Sequence, residues 1–142
     1  MIDISKEFIT IAERRVPGAS FFVLDMRDVA TLGTMFDGVF AQASLLHIPK
    51  REASTVIGAL TAVLQPGGLF YCAVKEIRPG QNVEEVAKED DYGYSYERFF
   101  SYYSQAEIEQ TCIELGLTLV SSEVARSGKT NWIHVIAKKP IV

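Results

Sequence analysis

The sequence predicts an α/β protein: a Rossmann-like, mostly parallel sheet that ends in a C-terminal antiparallel hairpin. Three observations carry this. Short apolar runs of strand length alternate with segments of helical periodicity, the pattern of a parallel sheet with crossover helices. The last two runs are separated only by Ser127-Gly128-Lys129, a hairpin turn. The chain has 142 residues, 48% of them hydrophobic, enough for one core, and neither a repeat nor a linker divides it. A single domain over residues 1–142 is expected, with a surface insertion at 76–103.

The elements follow in order. Met1-Ile2 is the end of an apolar strand, closed by Asp3. Ser5 is a helix cap, and Phe8, Ile9 and Ala12 recur at helical spacing behind it. Arg14 and Arg15 suit that helix's C-terminus, and Pro17-Gly18 stops it. Ala19–Leu24 reads as a buried strand ending at Asp25, and Asp28–Leu32 as one helical turn. Phe36–Ala41 is a further strand. Pro49 opens a long helix carrying Ala53, Val56, Ile57, Leu60, Val63 and Leu64, ended by Pro66-Gly67-Gly68. Leu69–Val74 is again apolar throughout and reads as a strand. Residues 76–99 are rich in Glu, Lys, Gly and Asp, with Tyr92, Tyr94 and Tyr96 alternating. They read as an insertion, partly helical around Val83–Ala87. Ser104 with Glu107 forms a capping box for a helix that stops at Gly116. Leu117–Val124 and Trp132–Ala137 complete the sheet.

Charge narrows the functional classes. The net charge is −4, which lacks the basic footprint of a nucleic-acid binder. No apolar run reaches the ~20 residues of a membrane span, and Asp3, Lys6 and Glu7 interrupt any leader, so a cytoplasmic protein is expected. Cys72 and Cys112 lie in no CxxC pair and near no His cluster; they read as reduced, buried thiols. No metal is expected.

Ligands of open α/β sheets bind beyond the carboxyl ends of the strands. Asp3, at such an end, can accept hydrogen bonds from both hydroxyls of a ribose, or simply complement a helix dipole. Asp25 can accept an adenine amine with Met26 on the ring face, or cap the turn before Arg27. Gln42, Ser44 and His47 follow the next strand and can face a substrate or a cofactor's polar tail. A lone His beside Leu45, Leu46 and Ile48 also suits a structural role. Neither a nucleophile–base pair nor a metal cluster is evident.

Read together, these segments resemble the class I S-adenosylmethionine-dependent methyltransferases. IDIS…FITIAERR resembles the family's second motif and FFVLDMRDV its third. FDGVFAQASLLHIPK resembles the fourth, and ALTAVLQPGGLFYCAVKE, with its Leu-x-Pro-Gly-Gly, the fifth. FFSYYSQAEIEQTCIELGLTLV resembles the closing helix and strand. The resemblance spans nearly the whole chain in the family's order. It implies a sheet of order 3-2-1-4-5-7-6 and methyl transfer from S-adenosylmethionine to a small molecule. It also implies a ribose contact at Asp3 flanked by Ile4, adenine contacts at Asp25 and Met26, and a methionine border at Ala41 and Gln42. Ser44, His47 and Tyr102 are the substrate candidates, with Tyr102 in a tyrosine-rich lid. No catalytic residue is assigned.

One motif is missing. The first strand, its glycine-rich turn and its helix do not precede Met1-Ile2, so the chain reads as N-terminally truncated. In a complete member that strand lies between the second and fourth strands. Its loss is expected to expose the strands Ser20–Leu24 and Phe36–Ala41, which then pair directly or are covered by homodimerisation. Two readings follow. One is a methyltransferase, with the missing motif weighing against activity of this chain alone. The other is a non-catalytic remnant of the fold serving as an interaction or dimerisation module. A nicotinamide-dependent oxidoreductase would need GxGxxG between strand and helix, and none is present.

Overall fold

The computed structural model describes residues 1–90 and 92–141. The order of elements is β1 (Ile2–Asp3), α1 (Lys6–Arg15), β2 (Phe22–Val23), a 3₁₀ segment (Met26–Leu32), β3 (Phe36–Gln42), a 3₁₀ turn (Leu45–His47), α2 (Lys50–Ala62), β4 (Leu64–Lys75), β5 (Glu84–Glu89), β6 (Tyr96–Ser101), α3 (Gln105–Glu114), β7 (Thr118–Ser127) and β8 (Thr130–Lys138). The expected α/β fold with its C-terminal antiparallel hairpin is present, the four-stranded sheet being mixed rather than mostly parallel. β3 and β4 run parallel, β8 joins β4 antiparallel, and β7 pairs with β8 as the expected hairpin, giving the order β3-β4-β8-β7.

One face of this sheet makes the core. Phe70, Cys72 and Val74 of β4, and Ile133, Val135 and Ala137 of β8, are fully buried, alternating along their strands. They form one cluster with Val56, Ile57 and Leu60 of α2 and with Ile108 and Cys112 of α3. The opposite face is open: Phe40 is 70% exposed and stacks on Tyr71 at 4.5 Å, and the Tyr71 hydroxyl meets His134 Nδ1 at 2.8 Å.

The helix signals act as read. Ser5 Oγ accepts from the Phe8 amide at the start of α1. Ser104 and Glu107 exchange both capping bonds at the start of α3. Along α1 only Ile9 is buried, while Phe8 is 61% exposed.

Several boundaries differ from the sequence reading. The strand expected at Ala19–Leu24 is reduced to Phe22–Val23, because its partner β1 offers only Ile2 and Asp3 for pairing. Helix α2 ends at Ala62, and Pro49 is its N-cap. Leu64 already pairs with Phe36, so Pro66-Gly67-Gly68 lies within β4 as an irregularity rather than beyond a helix. The helix expected around Val83–Ala87 is instead strand β5, paired antiparallel with β6 from Glu84↔Ser101 to Glu89↔Tyr96. Glu84, Glu85, Ala87 and Glu89 carry no strong strand propensity; the cross-strand partners Phe99, Phe100 and Tyr96 supply the pairing surface.

The expected direct pairing of Ser20–Leu24 with Phe36–Ala41 does not occur. β2 pairs in parallel with β1, through Ile2↔Phe22 and Asp3↔Val23. The two-stranded β1–β2 sheet shares no ladder with the four-stranded one. The open edges therefore belong to β1 and β3, and a cleft separates them.

Candidate functional site

That cleft encloses about 600 Å³. Its apolar walls come from Met1, Ile2 and Phe22 on one side and Val39, Leu60 and Val63 on the other. Met26, Val29 and Leu32 of the 3₁₀ segment close one end. Asp3, Ala41, Gln42 and Ser44 supply carboxylate, backbone and polar side chains, all from the carboxyl ends of β1 and β3. Parallel strands place those ends together, which is why ligands of such sheets bind there.

Each sequence-derived candidate has a definite place. Asp3 lines the cleft, and its Oδ1 accepts from the Ser5 amide at 2.8 Å, which fixes the carboxylate at the mouth of α1. Ile4 points away and is 73% exposed. Asp25 stands beside the cleft, not among its lining residues. Its Oδ1 caps the Arg27 amide and its Oδ2 pairs with the Arg27 guanidinium, both at 2.8 Å. Arg27 in turn bonds Glu52 of α2 at 2.9 Å, so Asp25 is held in a three-residue network. Met26 packs into the cleft. Ala41 is buried, and Gln42 and Ser44 border the space. The structure thus gathers Asp3, Met26, Ala41, Gln42 and Ser44.

His47 and Tyr102 lie elsewhere. His47 Nδ1 stands 2.8 Å from the Phe99 carbonyl. A carbonyl only accepts, so Nδ1 carries the proton in that bond. Burial holds the imidazole below its ordinary pKa; Arg98 and Lys75 push the same way, opposed by the Phe99 carbonyl and Glu89. Tyr102 is buried rather than laid over a site as a lid, and its hydroxyl donates to Glu85 at 2.7 Å. Burial first, and Glu85 second, push that phenol up to about 12.

Tyr102 borders a second, smaller pocket of about 200 Å³ at the end of β4, with Lys75, Glu76, Arg78, Gln81, Glu85 and Thr130. Ala43 is a site feature that the sequence hides. It sits between Gln42 and Ser44 with φ 51°, a left-handed conformation that costs a non-glycine residue roughly 1–2 kcal/mol. Alanine gives no signal of such a turn. The bond from its amide to the Ala73 carbonyl at 3.1 Å helps hold it. Among the described residues no group of His, Cys, Asp and Glu could hold a metal ion.

The strand order completes the frame. β2-β1, the cleft, then β3-β4-β8-β7 is the order 3-2-(gap)-4-5-7-6 of a class I methyltransferase sheet. Residues 1–68 match the family model of a methyltransferase domain. Along its whole length the chain has the fold of S-adenosylmethionine-dependent methyltransferases. It is similar to a crystal structure of a SAM-dependent methyltransferase from Methanosarcina mazei, with 21% identity and a TM-score of 0.78 over 99% of this chain and 81% of the other. A SAM-dependent methyltransferase from Clostridium acetobutylicum matches with 15% identity and a TM-score of 0.76, covering 98% and 74%. The 1,6-didemethyltoxoflavin-N1-methyltransferase of Burkholderia thailandensis, solved with 1,6-didemethyltoxoflavin and S-adenosylhomocysteine, matches with 18% identity and a TM-score of 0.71. The chain spans 60% of that enzyme's length. No curated protein matches the sequence.

Proposed function

We propose that the cleft between β1 and β3 binds S-adenosylmethionine and that the protein transfers its methyl group to a small molecule. The observation that carries this reading is the convergence of Asp3, Met26, Ala41 and Gln42 on one cleft at the carboxyl ends of parallel strands. The donor set suits the nucleotide. Asp3 Oδ1 accepts from the Ser5 amide, and among the described residues Oδ2 has no partner, so it can accept from the ribose hydroxyls. Met26 offers a thioether and apolar surface to an adenine face, with Asp25 beside it for the exocyclic amine. Gln42 and Ser44 supply polar groups to the amino-acid end.

S-adenosylmethionine supplies the electrophilic methyl; the chain's residues bind and orient it. Alignment of acceptor and methyl is the main source of rate, as among the described residues lining the cleft Asp3 is the one titratable side chain. Calorimetric titration with S-adenosylhomocysteine tests the reading. Micromolar affinity, about −8 kcal/mol, is expected. Asp3→Ala should weaken it about tenfold or more, the value of a hydrogen bond to a charged group. A folded chain with no detectable binding would favour the alternative of a non-catalytic interaction module.

We further propose that the open edges of β1 and β3 are covered by a second copy of the chain. The unpaired backbone groups of β3, the cleft's apolar walls and the exposed Phe40 face support this.

A further inference from the structure

Among the described residues, four cationic side chains are partly buried: Lys50, Lys75, Arg98 and Lys139. Lys50 pairs with Glu107 at 2.7 Å, and Arg98 with Glu89 at 3.4 Å. Lys139 Nζ donates to the carbonyls of Thr61, Ala62 and Leu64. Lys75 alone has no oxygen partner. Its Nζ stands 3.8 Å from the centroid of the Phe100 ring, a cation–π contact that leaves its N–H donors unused. Phe100 is itself buried and also touches His47, so the aliphatic stem and ring fix where the ammonium sits.

Lys75 is one of the residues lining the 200 Å³ pocket at the carboxyl end of β4. The charges that face it are mixed. Glu89 of β5 and Glu85 favour its charged form, whereas Arg98 of β6 and Arg78 oppose it. Burial outweighs these and lowers its pKa. Of the pocket's own carboxylates, Glu85 Oε1 accepts from Tyr102 and Gln81 and Glu76 Oε2 accepts from Asn131; Glu89, outside the lining, stands 3.4 Å from the Arg98 guanidinium, and its Oε2 accepts no hydrogen bond. A desolvated ammonium without an acceptor is costly, and a carboxylate placed in the pocket removes that cost. Arg78, which donates one guanidinium nitrogen to the Lys129 carbonyl, has further donors beside the same space.

We propose that this pocket is the acceptor-side subsite and that it binds the carboxylate of the methyl acceptor, which makes the acceptor a small carboxylic acid. This rests on the methyl-transfer reading for its purpose, but not for its geometry. Lys75 binds rather than reacts: it holds one end of the acid at the edge of the sheet where the methyl donor is bound.

The probe is acetate. Lysine labelled with ¹³C at Cε reports the Lys75 titration midpoint in the full chain, with acetate and with sodium chloride at matched ionic strength. Acetate should shift the Lys75 resonance saturably and raise its midpoint toward that of an ordinary lysine. Chloride should do neither. Lys75→Met keeps an apolar chain over Phe100, and the folded variant should show no acetate-dependent changes at the neighbouring Phe100 and Tyr102 resonances. An unmoved midpoint overturns the proposal. An equal response to chloride means an adventitious ion only and overturns it as well. Titration with S-adenosylhomocysteine in the same samples separates the two readings. Acetate binding without cofactor binding keeps the acid subsite and removes methyl transfer. Cofactor binding without acetate binding does the reverse.

Discussion

At the scale of single residues, His47 reads in sequence as either a substrate contact or a structural histidine, and the structure gives it a backbone partner. Its Nδ1–H is committed to the Phe99 carbonyl, tying the β3–α2 connection to β6. Its pKa lies below that of a free imidazole, chiefly through burial. The unfolded chain therefore binds a proton near the reference value of about 6.5, while the folded chain resists it. The contribution of His47 to stability is present above about pH 6.5 and is lost as pH falls through the lowered folded value. Denaturant unfolding from pH 7.5 to 5 should show this loss, and His47→Gln should flatten that part of the profile. A profile unchanged by the substitution would mean that other groups carry the pH dependence. Asp25 teaches the same lesson. Its position after an apolar run suggested an adenine contact or a turn cap. The structure shows the cap, made to Arg27, with the carboxylate still next to the cleft. Sequence identifies such residues by place, but not that Arg27, two residues on, takes both carboxylate oxygens while Glu52, distant in the chain, fixes that guanidinium from its other side.

At the scale of elements, the helices were legible because their caps are local. Ser5 and Ser104 each bond to a backbone amide three residues on. Strands β3, β7 and β8 were legible because they are apolar or alternate, and the hairpin because its turn is glycine-bearing. Two elements were misread for a physical reason. β5 is held by its partner β6 rather than by its own residues. The Leu-x-Pro-Gly-Gly segment signals a stop, yet it is the site where β4 first meets β3. Gly68 explains why glycine stands there. A Cβ at that position would come within 2.9 Å of the Gln65 carbonyl oxygen and 3.0 Å of the Asp37 carbonyl oxygen. Neither backbone atom can move without breaking the β3–β4 junction. Gly68→Ala should cost roughly 1–3 kcal/mol, the range for overpacking, measured as a lower denaturation midpoint with an unchanged slope. A loss below about 0.5 kcal/mol, the range of an ordinary surface change, would show that the junction yields.

At the scale of the whole molecule, the sheet order was legible from the succession of motifs, but the gap's behaviour was not. The sequence reading had Ser20–Leu24 and Phe36–Ala41 either pair directly or be covered by a second copy of the chain. In the structure β1 stays with β2, and the space remains open between β1 and β3. The 3₁₀ segment Met26–Leu32 borders that space with Val29 buried in the core. The four-stranded sheet also has helices on one face only, and Phe40, Leu69 and Val120 are exposed apolar residues of its strands. Light scattering on the eluting protein should therefore find a dimer whose population rises with concentration. A monomer throughout the accessible range would defeat self-association as the cover for these edges.

The separation of the sheets bears on motion. A strand that shares a ladder with the main sheet leaves it only by breaking those hydrogen bonds, whereas β1, α1 and β2 share none with it. They are anchored instead by side-chain packing around Met26–Leu32 and by the Arg27–Glu52 pair. Such a unit can open as one piece, well below the free energy of global unfolding. Asp3 rides on that unit, while Gln42 and Ser44 stand on the fixed one. A ligand that touches both would act as a clasp, making this tier's breathing depend on occupancy.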